Sequence, residues 1–282
     1  MEEIEKAPAK INLCLNVLNK RADGYHDMEM IMTPIDLNDR LTFSLLDREI
    51  RVDSNSSFMP LNEKNIVYKT ADLLRKKYGV KKGVSIYIDK AIPIAAGLGG
   101  GSSDAAATLR ALNRLWNLDL SLNELSETGE EIGADVPFCV YNQTAYVTGK
   151  GENVLPIRPF PFAWVIIAKP PKGISSWTVF KDLNISALPV YPIDKLRSAV
   201  EDNDFNECVK HTGNALESEA IKQNPLTGEL KDKMLEFGAE TALMSGTGPT
   251  VYGLTQNYNK ANRIVNGLKG FCKDVFLVRT IN

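Results

Sequence analysis

The sequence predicts an α+β protein in two parts. Three observations carry this. Residues 9–17 alternate between apolar and polar. A glycine-rich loop runs into a helix with one apolar side just past residue 100. A proline cluster, Leu155-Pro-Ile-Arg-Pro-Phe-Pro161, then separates this half from a second mixture of strands and helices.

In the opening segment Ala9, Ile11, Leu13, Leu15 and Val17 are apolar, with Lys10, Asn12, Cys14 and Asn16 between them. Period two reads as a half-buried strand, and it places Lys10 and Asn12 on one face. Asn65 can cap a helix that runs to Tyr78 and stops at Gly79. A second alternating strand covers Val84–Ile88. Ser102, Ser103 and Asp104 open the helix after the glycine loop, which sets Ala105, Thr108, Leu109, Leu112 and Trp116 on one side. Ser121-Leu-Asn-Glu124 is a capping box for a helix ending near Gly133, which delivers the chain to Asp135. Beyond the prolines, Phe162–Ala168 reads as a buried strand, and a helix spans about Asp194 to His211. Strands near 241–245 and 250–255 flank a second glycine turn, Ser245-Gly-Thr-Gly-Pro249. A helix near 260–268 and a strand near 275–279 close the chain. The expected division is residues 1–158 and 159–282.

Composition excludes several functions. A net charge of −2 and a pI near 5.9 argue against a nucleic-acid binder. The acidic MEEIEKAPAKI start has no apolar leader core, and the apolar run 162–168 is too short to span a bilayer. Cys14, Cys139, Cys208 and Cys272 are scattered thiols that suit a reducing cytoplasm, and with His26 and His211 as the only histidines a His-built metal site is not expected.

The most informative stretch is Pro93-Ile94-Ala95-Ala96-Gly97-Leu98-Gly99-Gly100-Gly101-Ser102-Ser103. Glycines bare the backbone amides, and the following helix start adds its positive dipole end, which together suit a phosphate. A structural turn alone does not call for four glycines in five positions, since each costs entropy on ordering. The P-loop pattern fails because no lysine lies between Lys90 and Arg110. The dinucleotide fingerprint fails because Ser102 stands at the third glycine and Pro93 interrupts the preceding strand, although Asp119 lies at a suitable distance for a ribose contact. The HRD and DFG partners of a protein-kinase loop are absent.

Three segments together, Lys6-Ala-Pro-Ala-Lys-Ile-Asn-Leu13, the loop Pro93–Ser103 and Leu243-Met-Ser-Gly-Thr-Gly-Pro-Thr250, resemble the signature motifs of the GHMP small-molecule kinases, which include galactokinase, homoserine kinase and mevalonate kinase. Arg21-Ala-Asp-Gly-Tyr-His26, Gly133-Ala-Asp-Val-Pro-Phe138 and the triple glycine narrow the resemblance to a branch acting on a cytidine-diphosphate alcohol in the non-mevalonate isoprenoid route. The resemblance covers essentially the whole chain. It implies a ribosomal-protein-S5-domain-2-like N-terminal domain and a ferredoxin-like C-terminal domain, in an ATP- and Mg2+-dependent kinase that phosphorylates the 2-hydroxyl of that alcohol. It implies catalysis by Asp135, as acceptor of the hydroxyl proton, with Lys10 beside it. It implies ATP binding by residues 93–103 with Asn65 and Asn113, and a magnesium contact at Ser103. It implies substrate binding by Asn12, Tyr25, His26, Ser175 and Phe180, with the Tyr25-His26 pair receiving the base. The segment Gly173-Ile-Ser-Ser-Trp-Thr178 departs from the Ser-Thr-Ala often found there. A cytoplasmic monomer or weak homodimer is expected, with neither nucleic acid nor membrane as partner. The alternatives are a GHMP kinase of the homoserine or mevalonate type, or a nucleotide-binding regulator without catalysis.

Overall fold

The computed structural model describes residues 2–181 and 183–281. In chain order its elements are β1 (Glu2–Lys20), β2 (His26–Leu46), β3 (Ile50–Ser54), α1 (Ile66–Lys77), β4 (Gly83–Asp89), α2 (Gly100–Leu115), α3 (Leu122–Glu130), α4 (Val136–Tyr141), β5 (Ala145–Gly149), β6 (Asn153–Pro156) and β7 (Trp164–Lys169). There follow α5 (Ser176–Lys181), α6 (Ile193–Glu201), α7 (Phe205–Lys210), β8 (Gly213–Asn214), α8 (Glu217–Gln223), α9 (Leu226–Glu236), β9 (Thr241–Met244), β10 (Val251–Thr255), α10 (Tyr258–Leu268) and β11 (Asp274–Arg279). The α+β class expected from the sequence holds.

By compactness the chain falls into two units. One unit comprises Met1–Ala9, Leu37–Ile94 and Gly99–Asn142, and the other Lys10–Asp36, Ala95–Leu98 and Gln143–Asn282. The interleaving arises because β1 and β2 are long enough for each to supply residues to both units.

In the first unit, Arg40–Leu46 of β2 pair antiparallel with β4, and β3 runs parallel to β4. Helix α1 starts where expected: the Asn65 side chain accepts from the Val67 amide, and Tyr78 ends the helix before Gly79. Ser121 and Glu124 form the capping box of α3. Helix α2 begins at Gly100, ahead of the serines, and is buried on more than the expected side because Ala106, Ala107 and Ala111 pack as well.

In the second unit, Met28–Met32 of β2 pair with β5, and β5 pairs with β6. Cys14 and Leu15 of β1 pair in parallel with β8. A four-stranded antiparallel sheet has the order β11-β7-β10-β9, the ferredoxin-like arrangement. Its inner strand β7 is buried from Val165 to Ala168, and the Ile166–Ala168 face lies under the helices. Leu230 and Met234 of α9 and Ile264 and Leu268 of α10 pack with Ile166, Ala168 and Val251.

Two expectations are corrected. Strand β1 is buried on both faces from Ala7 to Val17, because its polar residues find partners inside: Asn16 binds both main-chain groups of Tyr191 at 2.9 and 3.0 Å. The single helix expected over 194–211 is two, α6 and α7, broken where Asn203 turns left-handed (φ 55°) and Asp204 caps the second by accepting from the Glu207 amide.

Candidate active site

The second unit brings three distant segments together around Lys10. The lysine is 4% exposed, and its Nζ donates to Asn12 Oδ1 at 2.7 Å, as two residues on one strand face should. Its amide donates to the Leu98 carbonyl at 2.9 Å, which ties the glycine loop to β1. The loop is tied in turn to the 245–249 turn, since Ser245 Oγ donates to the Gly97 carbonyl at 2.9 Å. Gly97 sits at φ 74°, and a Cβ there would lie 2.3 Å from the Ser245 carbonyl oxygen, so only glycine fits. A Cβ at Gly246 would lie 3.1 Å from the Gly97 oxygen, 3.4 Å from Lys10 Nζ and 3.6 Å from Asn12 Oδ1. Asn214 holds the turn by donating to the carbonyls of Met244 and Gly246 at 2.9 and 2.8 Å. Buried Tyr252 donates to the Asn12 carbonyl at 2.7 Å.

Along the loop, Ile94 and Ala95 are exposed and Pro93 is half-buried. Ala96 and Leu98 are buried, so they anchor the loop and can offer a ligand only main chain. Ala95 and Gly99 are left-handed (φ 51° and 70°), and Gly99 supplies no capping side chain to α2. The first-turn amides of α2 therefore receive no side-chain cap, which is the arrangement that suits an anion. Gly101 is exposed, Ser102 half-buried and Ser103 buried. Among the described residues Ser103 Oγ has no hydrogen-bond partner. Among the described residues no cluster of His, Cys, Asp and Glu could hold a metal. A lone hydroxyl with phosphate and water as the remaining ligands fits Mg2+, which seldom takes an all-protein cage.

In the first unit, Lys90 lies between two buried aspartates. It pairs with Asp39 and donates to Asp104 Oδ2 at 2.7 Å. Burial pushes the Asp104 carboxyl up to about 8, with Asp39 adding to the rise and Lys90 opposing it. Burial acts against the Lys90 ammonium, but the two carboxylates outweigh it and hold the group above its ordinary value. Asp135 is the half-buried N-cap residue of α4, and its side chain makes no capping bond to that helix. Helix α4 is linked to α2 by Arg110, which donates to the Cys139 carbonyl at 2.7 Å and pairs with Glu5 at 2.8 Å. Both asparagines expected near adenosine have their amides engaged with backbone. Asn65 accepts from Val67 and donates to the Pro60 carbonyl, and Asn113 bridges both main-chain groups of Leu120 at 2.9 Å.

In the second unit, the turn before β2 presents Tyr25 at 57% exposure. Asp23 accepts from the Tyr25 amide, Gly24 is left-handed, and the Arg21 amide donates to the Tyr25 carbonyl. The Lys150 ammonium lies 5.7 Å from the Tyr25 ring centroid. His26 is buried and stacks on Phe180, with centroids 4.9 Å apart and planes at 23°. Burial, with the charge of Lys20 adding, holds its imidazole below the ordinary 6.5. Phe180 thus lies on His26 itself. The exposed Ser175 accepts through its carbonyl from the Thr178 and Val179 amides and the Thr178 hydroxyl at the start of α5. Trp177 is exposed, with Lys181 5.1 Å from its ring centroid.

Reading the sequence missed Lys150 and Asn214, and the Asp39–Lys90–Asp104 cluster. The glycines of the 245–249 turn were the one available signal for its packing on Lys10.

The chain matches the GHMP kinases N terminal domain over residues 65–143 and the GHMP kinases C terminal domain over 194–274. It is 50% identical over 282 residues to a 4-diphosphocytidyl-2-C-methyl-D-erythritol kinase of Enterococcus faecalis, covering 100% of both chains. It is 51% identical over 282 residues to the enzyme of the same name from Bacillus subtilis, covering 100% of this chain and 98% of that one. A crystal structure of a 4-(cytidine 5'-diphospho)-2C-methyl-D-erythritol kinase superposes with a TM-score of 0.84 at 29% identity, covering 100% of each chain. A homoserine kinase from Cytophaga hutchinsonii shares the fold, with a TM-score of 0.78 at 19% identity over 99% of this chain and 94% of that one.

The fold and the glycine loop are those of an ATP-dependent small-molecule kinase. The chain belongs to the GHMP kinases, within the family of its 4-diphosphocytidyl-2-C-methyl-D-erythritol kinase relatives. No helix among the described residues is long and apolar enough to cross a membrane.

Proposed function

We propose that this kinase transfers the γ-phosphoryl group of ATP to the 2-hydroxyl of 4-diphosphocytidyl-2-C-methyl-D-erythritol in the non-mevalonate isoprenoid route. The observation that carries the reading is the meeting of three signature segments in one unit: Lys10 and Asn12, the loop at Gly97–Leu98, and the turn at Ser245–Gly246. The full-length identity to relatives of that name supports the substrate. Residues 1–158 serve as the ATP-binding domain and residues 159–282 as the second domain of the enzyme, a monomer or weak homodimer of the cytoplasm.

Phosphoryl transfer needs in-line positioning and neutralised charge more than covalent help from the protein. The main chain of 97–103, in which the Ser103 amide already donates to the Gly99 carbonyl, holds the phosphates, while Asn65 and Asn113 shape the adenosine site through the backbone they fix. Asp135 accepts the proton of the attacking hydroxyl, the general-base role the GHMP resemblance gives to this carboxylate. Lys10, held by Asn12, stabilises negative charge on the transferring group. The Ser103 hydroxyl would hold Mg2+, which would supply charge neutralisation at the phosphates when bound. Tyr25 stacks on the cytosine from its exposed turn, and His26, kept neutral and braced by Phe180, hydrogen-bonds the base edge. Ser175 and Asn12 contact the remainder of the substrate.

The test is to follow ADP release and phosphorylated product with the cytidine-diphosphate alcohol, homoserine and mevalonate in turn. Turnover with the first alone is expected. Asp135→Asn is expected to keep ATP affinity and lose turnover by about 100-fold or more, the span of general-base catalysis. Turnover with homoserine or mevalonate instead, or full activity of the Asn variant, overturns the substrate or the base assignment respectively.

A further inference from the structure

We propose that the buried Asp39–Lys90–Asp104 cluster is the positioning device of the phosphate loop, clamping its two ends so that the loop amides stand ready for the nucleotide. The proposal rests on reading residues 93–103 as the ATP site.

The cluster brackets the loop. On the entering side, Asp39 Oδ1 accepts from the main-chain amides of Ala91 and Ile92, each at 2.7 Å, immediately before Pro93. On the leaving side, Asp104 lies one turn into α2, and its Oδ2 accepts from Lys90 Nζ at 2.7 Å. Lys90 also pairs with Asp39 Oδ2, so a single ammonium joins the strand exit to the helix start. The two ends touch as a result. A Cβ on Gly100 would lie 3.0 Å from the Ile92 side chain and 3.2 Å from Lys90 Nζ. A side chain on Gly100 would thus press on Ile92 and on the Lys90 ammonium, which would have to give by a few tenths of an ångström.

Stability alone does not explain such a cluster. Its aspartate side chains are fully buried and the lysine is 7% exposed. Buried ion pairs often do no better for stability than apolar groups of the same shape, because desolvation offsets the attraction. A glycine-rich loop, by contrast, has little order of its own and must receive it from its anchors. Preorganised amides bind a phosphate more tightly because less motion is lost on binding.

The test uses Asp104→Asn, which keeps the shape and leaves the Lys90–Asp39 pair, and Lys90→Met, which removes the cation that Asp39 and Asp104 share and can unfold the protein. Amide hydrogen exchange of the nucleotide-free full chain is the deciding readout. Faster exchange in 93–104 of Asp104→Asn, with 66–77 and 122–130 unaltered, is expected. Steady-state kinetics should then show KM for ATP raised about tenfold, with KM for the alcohol unchanged, as lost preorganisation predicts. Unaltered exchange in 93–104 overturns the proposal, as does faster exchange across all three segments or an unchanged KM for ATP. A folded Lys90→Met must reproduce the same pattern more strongly. If the unaltered protein binds no ATP analogue, the functional reading fails, while the exchange comparison still decides whether the cluster clamps the loop.

Discussion

Replacing Gly101 by alanine separates a glycine needed by the fold from one needed by a ligand. Gly101 lies in the first turn of α2 with a φ that is not positive, and the nearest atom to an added Cβ is the Ile66 Cγ2, 3.9 Å away. That is ordinary contact distance, so the folded protein has space for the methyl group. Glycine in a helix is less stable than alanine by roughly 0.5–1 kcal/mol, from its greater freedom in the unfolded chain. The substitution should therefore raise stability by about that amount, which for a chain of this size moves the melting temperature up by about 1–3 °C. Among the described residues nothing then accounts for a glycine there. In the proposed ATP site a phosphate lying against the exposed backbone would, and the new methyl group would stand in its path. KM for ATP is expected to rise by about tenfold or more, the scale of losing one to two good charge-assisted hydrogen bonds. The assay is a coupled ADP-release measurement at fixed alcohol, beside a thermal melt without nucleotide. A higher melting temperature with an unchanged KM for ATP would refute phosphate contact at 101. A lower melting temperature would refute the packing argument.

Gly97→Ala should behave in the opposite way: its φ of 74° and the 2.3 Å approach of Cβ to the Ser245 oxygen force the loop away from the turn. A stability loss of about 2 kcal/mol is expected from the left-handed backbone and the strained hydrogen bond, measured by urea unfolding. Tyr25→Ala should raise KM for the cytidine substrate by about tenfold, the value of one aromatic stack on a base, with KM for ATP unchanged. Equal effects on both substrates would remove the base clamp. His26 titrates below its ordinary 6.5 in the folded protein, so between the two values the unfolded chain binds more protons. Its contribution to stability is thus full above pH 6.5 and is lost as pH falls towards the folded value. Melts between pH 5 and 7.5 should show a shallower decline on acidification for His26→Gln than for the unaltered chain, and parallel curves would contradict the burial of His26.

The sequence by itself determined what a few neighbouring residues can set. Alternation placed Lys10 and Asn12 on one face, and they bond there. Asn65 and Ser121 capped their helices because a cap needs only the next three amides. The glycine loop and the late turn were legible as letters. Tertiary structure decided what those letters meet. That Gly97 is held by Ser245 depends on where β9 and β10 lie against the loop, and no local pattern encodes this. The second buried face of β1 was hidden because its polar residues are satisfied by distant partners such as Tyr191, whereas periodicity reads any polar residue as exposed. The clamp on the loop was invisible for the same reason. Asp39, Lys90 and Asp104 stand far apart in the chain, and a charge reads as solvated until its burial is known.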